Sequence, residues 1–337
     1  MKWTIQLAYY IETIGFVTST FLNSILLFLI SKMSKQTFGN YNYLMFSFSS
    51  FSIVYSFVNF WSKPNVLITD KSFAIFVDLK ETGFTKQFGA IAIGLYCSCY
   101  NIMLQLITIH FYYRYLSVTS PTDLSRFSVK STPIWILFII SISFLWFSMC
   151  YFVNGPSPMK DENFLPEFQK NYCMEPEEYN YLGPQYYYQD VTGQTRFHIP
   201  SLLASGTMGA LMCCSISAIT YFGFHTYKHL ANLGTIGSSE TGDLQKQLFR
   251  TLVIQTLIPS VFMYIPVSCM FLFPLFGLKA EGIDTLVPIS VAIYPCFEPL
   301  VAMYCIRIFR NRIFEVLSCK KVKKLMKISV VPISNQN

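Results

Sequence analysis

The chain has 337 residues, of which 53% are hydrophobic and only 13% are charged, with a formal net charge of +7. Soluble domains are about 25% charged, and the helices of soluble proteins carry a single apolar stripe. Here the apolar stretches lack a polar face, and the charges gather between them. The composition therefore excludes an ordinary soluble domain and indicates a membrane protein.

Seven stretches are long and apolar enough to cross a bilayer, which takes about 20 residues. In chain order they cover residues 7–30, 41–61, 88–112, 132–153, 198–221, 251–276 and 285–306. Glu12 in the first and Glu298 in the last are their only charged residues. The sequence predicts an all-α bundle of seven transmembrane helices over residues 1–306, followed by a cytoplasmic helix and basic tail over residues 307–337.

The charged residues also predict the orientation of the bundle, because Lys and Arg concentrate on the cytoplasmic side. With the N-terminus outside, the inner segments hold 16 basic and 4 acidic residues, a net +12, and the outer segments hold 9 and 12, a net −3. The positive charge is therefore a topology signal, and nucleic acid is not an expected partner. The long, acidic and aromatic outer connection 154–196 is expected to cover the bundle.

The segment HFYYRYLSV (110–118) places Arg114 at the cytoplasmic end of span three. One interpretation is an anchor whose long side chain reaches the headgroups. The other is a cytoplasmic switch, as in a G-protein-coupled receptor, where the arginine meets the G protein in one state. The expected coupling surface comprises Arg114, Lys228, Lys246, Arg250, Arg307 and Arg310.

Prolines and one acid mark spans six and seven. Pro295 and Pro299 flank Glu298 in span seven, and each removes a backbone donor and tends to kink the helix. An acid at this depth should face the bundle interior, with Asn23, Gln255 or water as its partner. Pro259 and Pro266 are hinge candidates in span six. The alternatives are a buried acid without a signalling role and kinks without functional motion.

Five stretches resemble the nematode seven-transmembrane chemoreceptors of the Str family. They are GNYNYLM (39–45), HFYYRYLSV (110–118), LQKQLFRTLVIQTLIPSVFMYIPV (244–267), YPCFEPL (294–300) and IRIFRNRI (306–313). The resemblance implies an odorant or pheromone receptor coupled to a heterotrimeric G protein, in the plasma membrane and ciliary membrane of sensory neurons. The chain departs from the family at Glu298, where an aspartate is expected, and it has Tyr113 rather than an acid before Arg114.

A ligand pocket is expected in the outer half of the bundle. By depth alone, its candidate residues are Tyr96, Tyr100, Ser201, Ser205, Tyr264, Ser290 and Tyr294. These groups are uncharged, which favours a small neutral organic ligand, because an unpaired charge is costly to desolvate. The acidic outer loop leaves a cationic or peptide ligand as the alternative. A disulfide from Cys173 in that loop to Cys97 or Cys99 requires the loop to dip into the bundle.

The segment RIFRNRIFEVL (307–317) alternates basic and apolar residues at helical spacing, which is typical of a helix on the inner membrane face. Cys319 beside the basic run KKVKK is a candidate palmitoylation site, or else a free thiol. His225 and His229 lack a third metal ligand, and no phosphate loop or catalytic constellation is present. We expect no enzyme activity, cofactor or metal. The alternative function is a membrane transporter or a ligand-gated channel.

Overall fold

The computed structural model describes residues 2–32, 41–190, 192–233, 240–279 and 282–317. Seven helices in this part of the chain are long and apolar enough to cross a membrane. Span one is helix α1 (Lys2–Ser31), span two is α2 (Tyr41–Ser62), span three is α4 (Lys86–Thr119), and α3 (Leu79–Thr82) is a short turn between them. Span four is α5 (Thr132–Ser148), which ends in a π-helical turn, Met149–Val153.

Helix α6 (Pro158–Tyr172) lies in the second outer loop and is followed by span five, α7 (Ile199–Leu233). Span six consists of α8 (Glu240–Pro259), a π-helical turn over Ser260–Tyr264, and α9 (Ile265–Leu275). Span seven is α10 (Ile283–Cys305), and α11 (Arg307–Leu317) follows it directly. The π-helical turn begins directly after Pro259, where the missing backbone N–H interrupts the regular hydrogen-bond ladder.

Span three is the centre of the bundle and is buried over most of its length. Span four, by contrast, exposes a row of large apolar side chains, among them Ile134, Leu137, Ile140 and Phe144. An exposed apolar surface of this size is unfavourable in water and marks a membrane-facing surface. Span four therefore lies at the periphery, with one side toward the lipid.

The outer end of the bundle is closed by a lid built from both long outer loops. Strands β1 (Asn65–Ile68) and β2 (Phe73–Asp78) form an antiparallel hairpin, and β3 (Tyr179–Leu182) of the second loop pairs antiparallel with β2. A separate hairpin of β4 (Tyr187–Gln189) and β5 (Thr195–Phe197) precedes span five. The expected cover over the bundle is therefore present.

Alternation of side chains gives the three-stranded sheet two apolar faces. Leu67, Ala74, Phe76 and Tyr181 pack outward against helix α6 in one cluster. Their neighbours in sequence face the bundle interior and contribute to its core: Val66, Phe73, Ile75 and Leu182. Gly183, the residue directly after β3, packs against the backbone of β2. A Cβ atom there would lie 1.9 Å from the Phe73 carbonyl oxygen, so only glycine fits.

Candidate functional site

Directly beneath the lid lies a cavity of about 50 Å³. Its walls come from spans three to seven and from the inner face of the sheet, and they are mostly apolar and aromatic, for example Trp146, Met208, Met270 and Phe271. None of the described residues that line it carries a charge. Glu12, the acid nearest to this depth in span one, is buried but does not reach the cavity wall. The site is thus suited to an uncharged molecule.

Only two of the seven residues expected at the ligand site line the cavity. Tyr96 and Tyr100 line the cavity. Ser205, Tyr264, Ser290 and Tyr294 are buried at the expected depth but do not line it, and the Ser290 hydroxyl donates to the Val287 carbonyl at 3.0 Å. The depth of a residue in the membrane was therefore not enough to predict which side chains line the cavity, because that also depends on the rotation of each helix about its axis.

Ser201 contributes instead to a polar junction between the lid and spans four and five. Its hydroxyl donates to Asn154 Oδ1 at 3.2 Å and accepts from the Gln185 backbone N–H at 3.4 Å, while His198 Nδ1 lies 2.9 Å away. Asn154 also lines the cavity. Sequence reasoning expected a cover but missed both Asn154 and the sheet residues as cavity walls, because nothing in their local sequence shows which loop residues face the bundle interior.

A buried lysine strengthens this junction. Lys160 in α6 is 1% exposed, and its Nζ donates to the Gly155 carbonyl at 2.9 Å and the Val153 carbonyl at 3.4 Å. These carbonyls lie at the C-terminal end of span four, where a cation is favourable. Burial nevertheless lowers the pKa of Lys160 to about 8. The lid helix is thereby attached to span four next to the cavity.

Two tyrosine hydroxyls beside the cavity lack a partner. Tyr100 and Tyr264 are buried, and neither hydroxyl has a hydrogen-bond partner among the described residues. The two groups are close enough to influence each other electrostatically. A buried polar group without a partner costs about 1–3 kcal/mol, so these two hydroxyls are the hydrogen-bonding groups near the cavity that would gain most from a partner.

At the inner end, Arg114 is folded into the bundle. Its side chain is only 2% exposed, and its guanidinium carbon lies 3.4 Å above the centre of the Tyr41 ring and 5.9 Å from that of Tyr113. Helix α4 continues to Thr119, so Arg114 is not the last residue of the span. This geometry differs from the headgroup anchor considered from the sequence, whose charge would remain in the interface.

Span seven is joined to spans one, two and six through its proline-rich segment. Because Pro299 has no N–H, the Pro295 carbonyl lacks its helical donor, and Asn23 Nδ2 donates to it at 3.2 Å. The carboxylate of Glu298 accepts from Ser52 Oγ at 3.3 Å, and Gln255 Nε2 donates to the Glu298 backbone carbonyl at 3.3 Å. Asn23 and Gln255 thus contact the backbone of the segment, whereas Ser52, which sequence reasoning missed, contacts the acid itself.

These polar groups border an inner cavity of about 30 Å³. Tyr41, His110, Gln255 and Glu298 are among its lining residues, so the cavity lies between the Glu298 carboxyl and the aromatic partner of Arg114. This volume exceeds the roughly 10–15 Å³ that one water requires. The inner half of the bundle therefore has room for water between its acid and its buried arginine.

The remaining basic residues of the expected coupling surface lie apart from Arg114. Lys228 is exposed on span five, whereas Arg250, Arg307 and Arg310 line a cleft between spans six and seven and helix α11. The side chain of Lys246 lies outside the described set, as do Cys319 and the basic tail.

The cysteines of the described residues are free thiols. Cys173 is exposed at the end of α6, whereas Cys97 and Cys99 are buried inside the bundle, so the disulfide considered from the sequence is not formed. The lid is held over the bundle by strand pairing and polar contacts instead. Within the described ranges, no group of three or more His, Cys, Asp or Glu residues is placed to hold a metal ion.

The fold defines the class of protein. Squid rhodopsin has the same architecture, with a TM-score of 0.64 over 96% of this chain and 89% of that protein, at 13% sequence identity. The chain is therefore a seven-helix membrane protein with the fold of a G-protein-coupled receptor.

The sequence comparisons give the family. Residues 8–314 match the family described as serpentine type 7TM GPCR chemoreceptor Str. Serpentine receptor class r-10 of Caenorhabditis elegans is 30% identical over 90% of this chain and 89% of its own length. G-protein coupled receptor str-217 of the same nematode is 25% identical over 87% of this chain and 85% of its own. The chain belongs to the Str family of chemoreceptors, as its motifs predicted; it is a receptor and not an enzyme, and a transporter or channel is not favoured.

Proposed function

We propose that this receptor binds a small neutral organic molecule in the cavity beneath the lid and responds by activating a heterotrimeric G protein. The observation that carries the ligand class is the absence of charge from the described residues that line the cavity, together with the unpartnered hydroxyls of Tyr100 and Tyr264. A charged ligand would lack a counter-ion there, and its desolvation would cost several kcal/mol.

Size and polarity narrow the ligand further. The cavity of about 50 Å³ is roughly a third of the 150 Å³ cavity that admits benzene in a protein core. A molecule with few non-hydrogen atoms, such as a small ketone, ester or alcohol, fits with little expansion. Its oxygen would accept from the hydroxyl of Tyr100 in the cavity wall, or from that of Tyr264 behind the wall if the cavity widens on binding. The aromatic walls would hold its carbon skeleton.

The contacts of the acidic outer loop speak against the cationic or peptide alternative. Glu178 is paired with Lys80, Glu167 with Lys279 at 3.1 Å, and Asp190 with Arg196 at 2.9 Å. The Tyr181 hydroxyl donates to Asp161 at 2.7 Å. Much of the negative charge in the loop is thus engaged within the protein, which favours a structural role in the lid over capture of a cation.

For coupling, we propose that Arg114 leaves the Tyr41 ring on activation and contacts the G protein. Two discrete arrangements of a buried group are what a switch requires. Pro259 and Pro266 flank the π-helical turn of span six, and this irregular segment is the proposed hinge at which the inner end of the span moves. Lys228 adds positive charge to the inner rim, while Arg250, Arg307 and Arg310 lie toward its lipid-facing side. Lys246, whose side chain lies outside the described set, is retained as a candidate coupling residue from its place in the sequence.

We place the receptor in the plasma membrane, in sensory cilia, because a receptor for external chemicals must present its lid to the outside. Helix α11 is amphipathic in sequence, and palmitoylation of Cys319 next to the basic tail would hold this region at the inner leaflet.

The ligand class is tested by a screen in cells that express the receptor together with a calcium or cyclic-nucleotide reporter. Panels of neutral volatiles, amines and short peptides are compared in wild type and in a Val287→Phe variant, which fills the cavity. We expect neutral molecules alone to activate the wild type, with potency lost in the variant. Activation by amines or peptides only, unaffected by Val287→Phe, would overturn the proposal.

A further inference from the structure

A larger recess lies at the inner membrane face, on a different face of span six from the one that borders the inner cavity. It is a cleft of about 760 Å³ between span six, span seven and α11. Its apolar wall comprises Ile254, Phe297, Leu300 and Val301, and its basic end comprises Arg250, Arg307 and Arg310. Tyr304, which is 72% exposed, stands between the two. The cleft thus has one end for an acyl chain and another for a negatively charged group.

Helical phase shows that this cleft faces the lipid and not the bundle interior. Span six contributes Gln247, Arg250 and Ile254 to the cleft, whereas its other face contributes Leu248, Thr251 and Gln255 to the inner cavity. Span seven is divided in the same way: Leu300, which is 44% exposed, lines the cleft, and Glu298 lines the cavity. Residues three and four apart share a helix face, and the two sets on span six are offset by one residue, about 100° around the helix. They therefore lie on different faces.

The charge of the cleft is uncompensated within the described part of the chain. None of its described lining residues is acidic, and no described carboxylate lies within ion-pair distance of Arg250, Arg307 or Arg310. The nearby Glu315 pairs with Arg312 at 3.3 Å instead. The backbone N–H of Arg307 donates to Gln247 Oε1 at 3.4 Å, which ties the start of α11 to span six.

We propose that this cleft binds an anionic phospholipid of the inner leaflet. Arginine is suited to phosphate because its planar guanidinium donates two parallel hydrogen bonds, and the cytoplasmic leaflet is rich in anionic lipids. The acyl chain lies along Leu300 and Val301, and the headgroup meets the three arginines. A G protein is the weaker candidate occupant, because the apolar wall of the cleft opens toward the hydrocarbon.

The occupant is tested by native mass spectrometry of the full-length receptor in detergent, with phosphatidylserine or phosphatidylcholine of identical chains. The triple variant R250Q/R307Q/R310Q is compared with R126Q/K130Q/R312Q, which removes the same charge from the same membrane side. We expect preferential binding of phosphatidylserine that falls at least about tenfold in the cleft variant and stays within about twofold in the control. An equal loss in both variants, no preference for phosphatidylserine, or equally tight binding of soluble glycerophosphoserine would overturn the proposal.

A readout on the wild type covers the case in which the cleft variant does not fold. Cys305 lines the cleft, so a bound lipid should slow its modification by N-ethylmaleimide, followed by peptide mass spectrometry. In nanodiscs that contain phosphatidylserine, we expect Cys305 to react several-fold more slowly than in phosphatidylcholine alone, and Cys269 in the outer half of span six to react equally in both. Equal rates at Cys305 in the two membranes would contradict the assignment.

Discussion

Asn23→Leu tests how the proline segment of span seven is held in the bundle. Asn23 Nδ2 donates to the Pro295 carbonyl at 3.2 Å, and Asn23 Oδ1 accepts from Ser49 Oγ at 2.9 Å. Leucine has a similar volume but satisfies neither group, so the Pro295 carbonyl keeps only Ser19 Oγ at 3.5 Å, and Ser49 Oγ keeps only the backbone carbonyl of residue 23 at 3.4 Å. A buried polar group left without a partner costs about 1–3 kcal/mol. Because these longer contacts remain, we expect the receptor to be destabilised by an amount at the lower end of that range.

A second substitution isolates the role of the carbonyl. Pro299→Ala restores the N–H that can pair with the Pro295 carbonyl within the helix. In that background Asn23→Leu should lose its contacts with Ser49 and Ser19 but no longer leave the Pro295 carbonyl short of a donor. We expect a coupling free energy of about 1 kcal/mol between the two sites. Pro288→Ala is the matched control, because the carbonyl that Pro288 leaves without a helical donor belongs to Asp284, about three turns from Pro295.

The assay is equilibrium unfolding of purified receptor in mixed micelles with increasing dodecyl sulfate, followed by circular dichroism. The four proteins of the Asn23 and Pro299 cycle are measured beside the Pro288 cycle. If the changes in unfolding free energy caused by Asn23→Leu and Pro299→Ala add within about 0.5 kcal/mol, Asn23 does not act through the Pro295 carbonyl. That result would refute the reasoning about span seven.

Four further outcomes are expected. Arg114→Ala should leave surface expression and ligand binding intact but remove G-protein activation, whereas a purely anchoring arginine would leave signalling near normal. Glu298→Leu, which leaves Ser52 without its acceptor, should reduce surface labelling or lock signalling, and Glu298→Gln should preserve both; normal signalling by the leucine variant would exclude a coupling role. Tyr100→Phe and Tyr264→Phe should each weaken ligand potency about two- to tenfold without loss of thermal stability, and a stability loss instead would show that the hydroxyls are structural. Burial lowers the pKa of Lys160 from 10.5 to about 8, so between these two pH values the unfolded chain holds a proton that the folded protein has released, and the free energy of unfolding should rise with pH. Lys160→Met should flatten this rise, and an unchanged pH profile in the variant would contradict the assignment.

Much of the architecture could be predicted because it depends on composition along the chain. The apolar stretches gave seven spans, and the unequal distribution of Lys and Arg gave their orientation. Glu298 was expected to face the bundle interior, because an acid is costly on a lipid-facing surface, and the flanking Pro295 and Pro299 were expected to kink the helix. The structure agrees with this reasoning, since all three are buried.

A cover over the bundle was predicted, but the strand pairing of the lid and the individual contacts could not be, because they depend on distant parts of the chain. Strand β2 pairs with β3 in the register Ile75–Leu182, and no local pattern links two loops about 100 residues apart. Ser201 was expected at the ligand site, yet it joins the lid to spans four and five.

The rotation of each helix about its own axis was the other property that the sequence did not reveal. Thr251 and Arg250 are adjacent in sequence, but Thr251 borders the inner cavity and Arg250 borders the lipid-facing cleft. Because neighbours on a helix are about 100° apart, one residue separates an interior group from a membrane-facing one. The basic residues that depth alone combined into one coupling surface therefore lie on two sides of span six.

The central claim, that a neutral ligand beneath the lid activates a G protein, is tested most directly by nucleotide exchange. Purified receptor is reconstituted in nanodiscs with a heterotrimeric G protein, and binding of a non-hydrolysable GTP analogue is followed as neutral ligands from the cell screen are added. We expect saturable, ligand-dependent exchange that is lost in both Val287→Phe and Arg114→Ala, with ligand binding retained in Arg114→Ala alone. Ligand-evoked ion current in the absence of G protein, with no stimulated exchange in the wild type, would contradict the account.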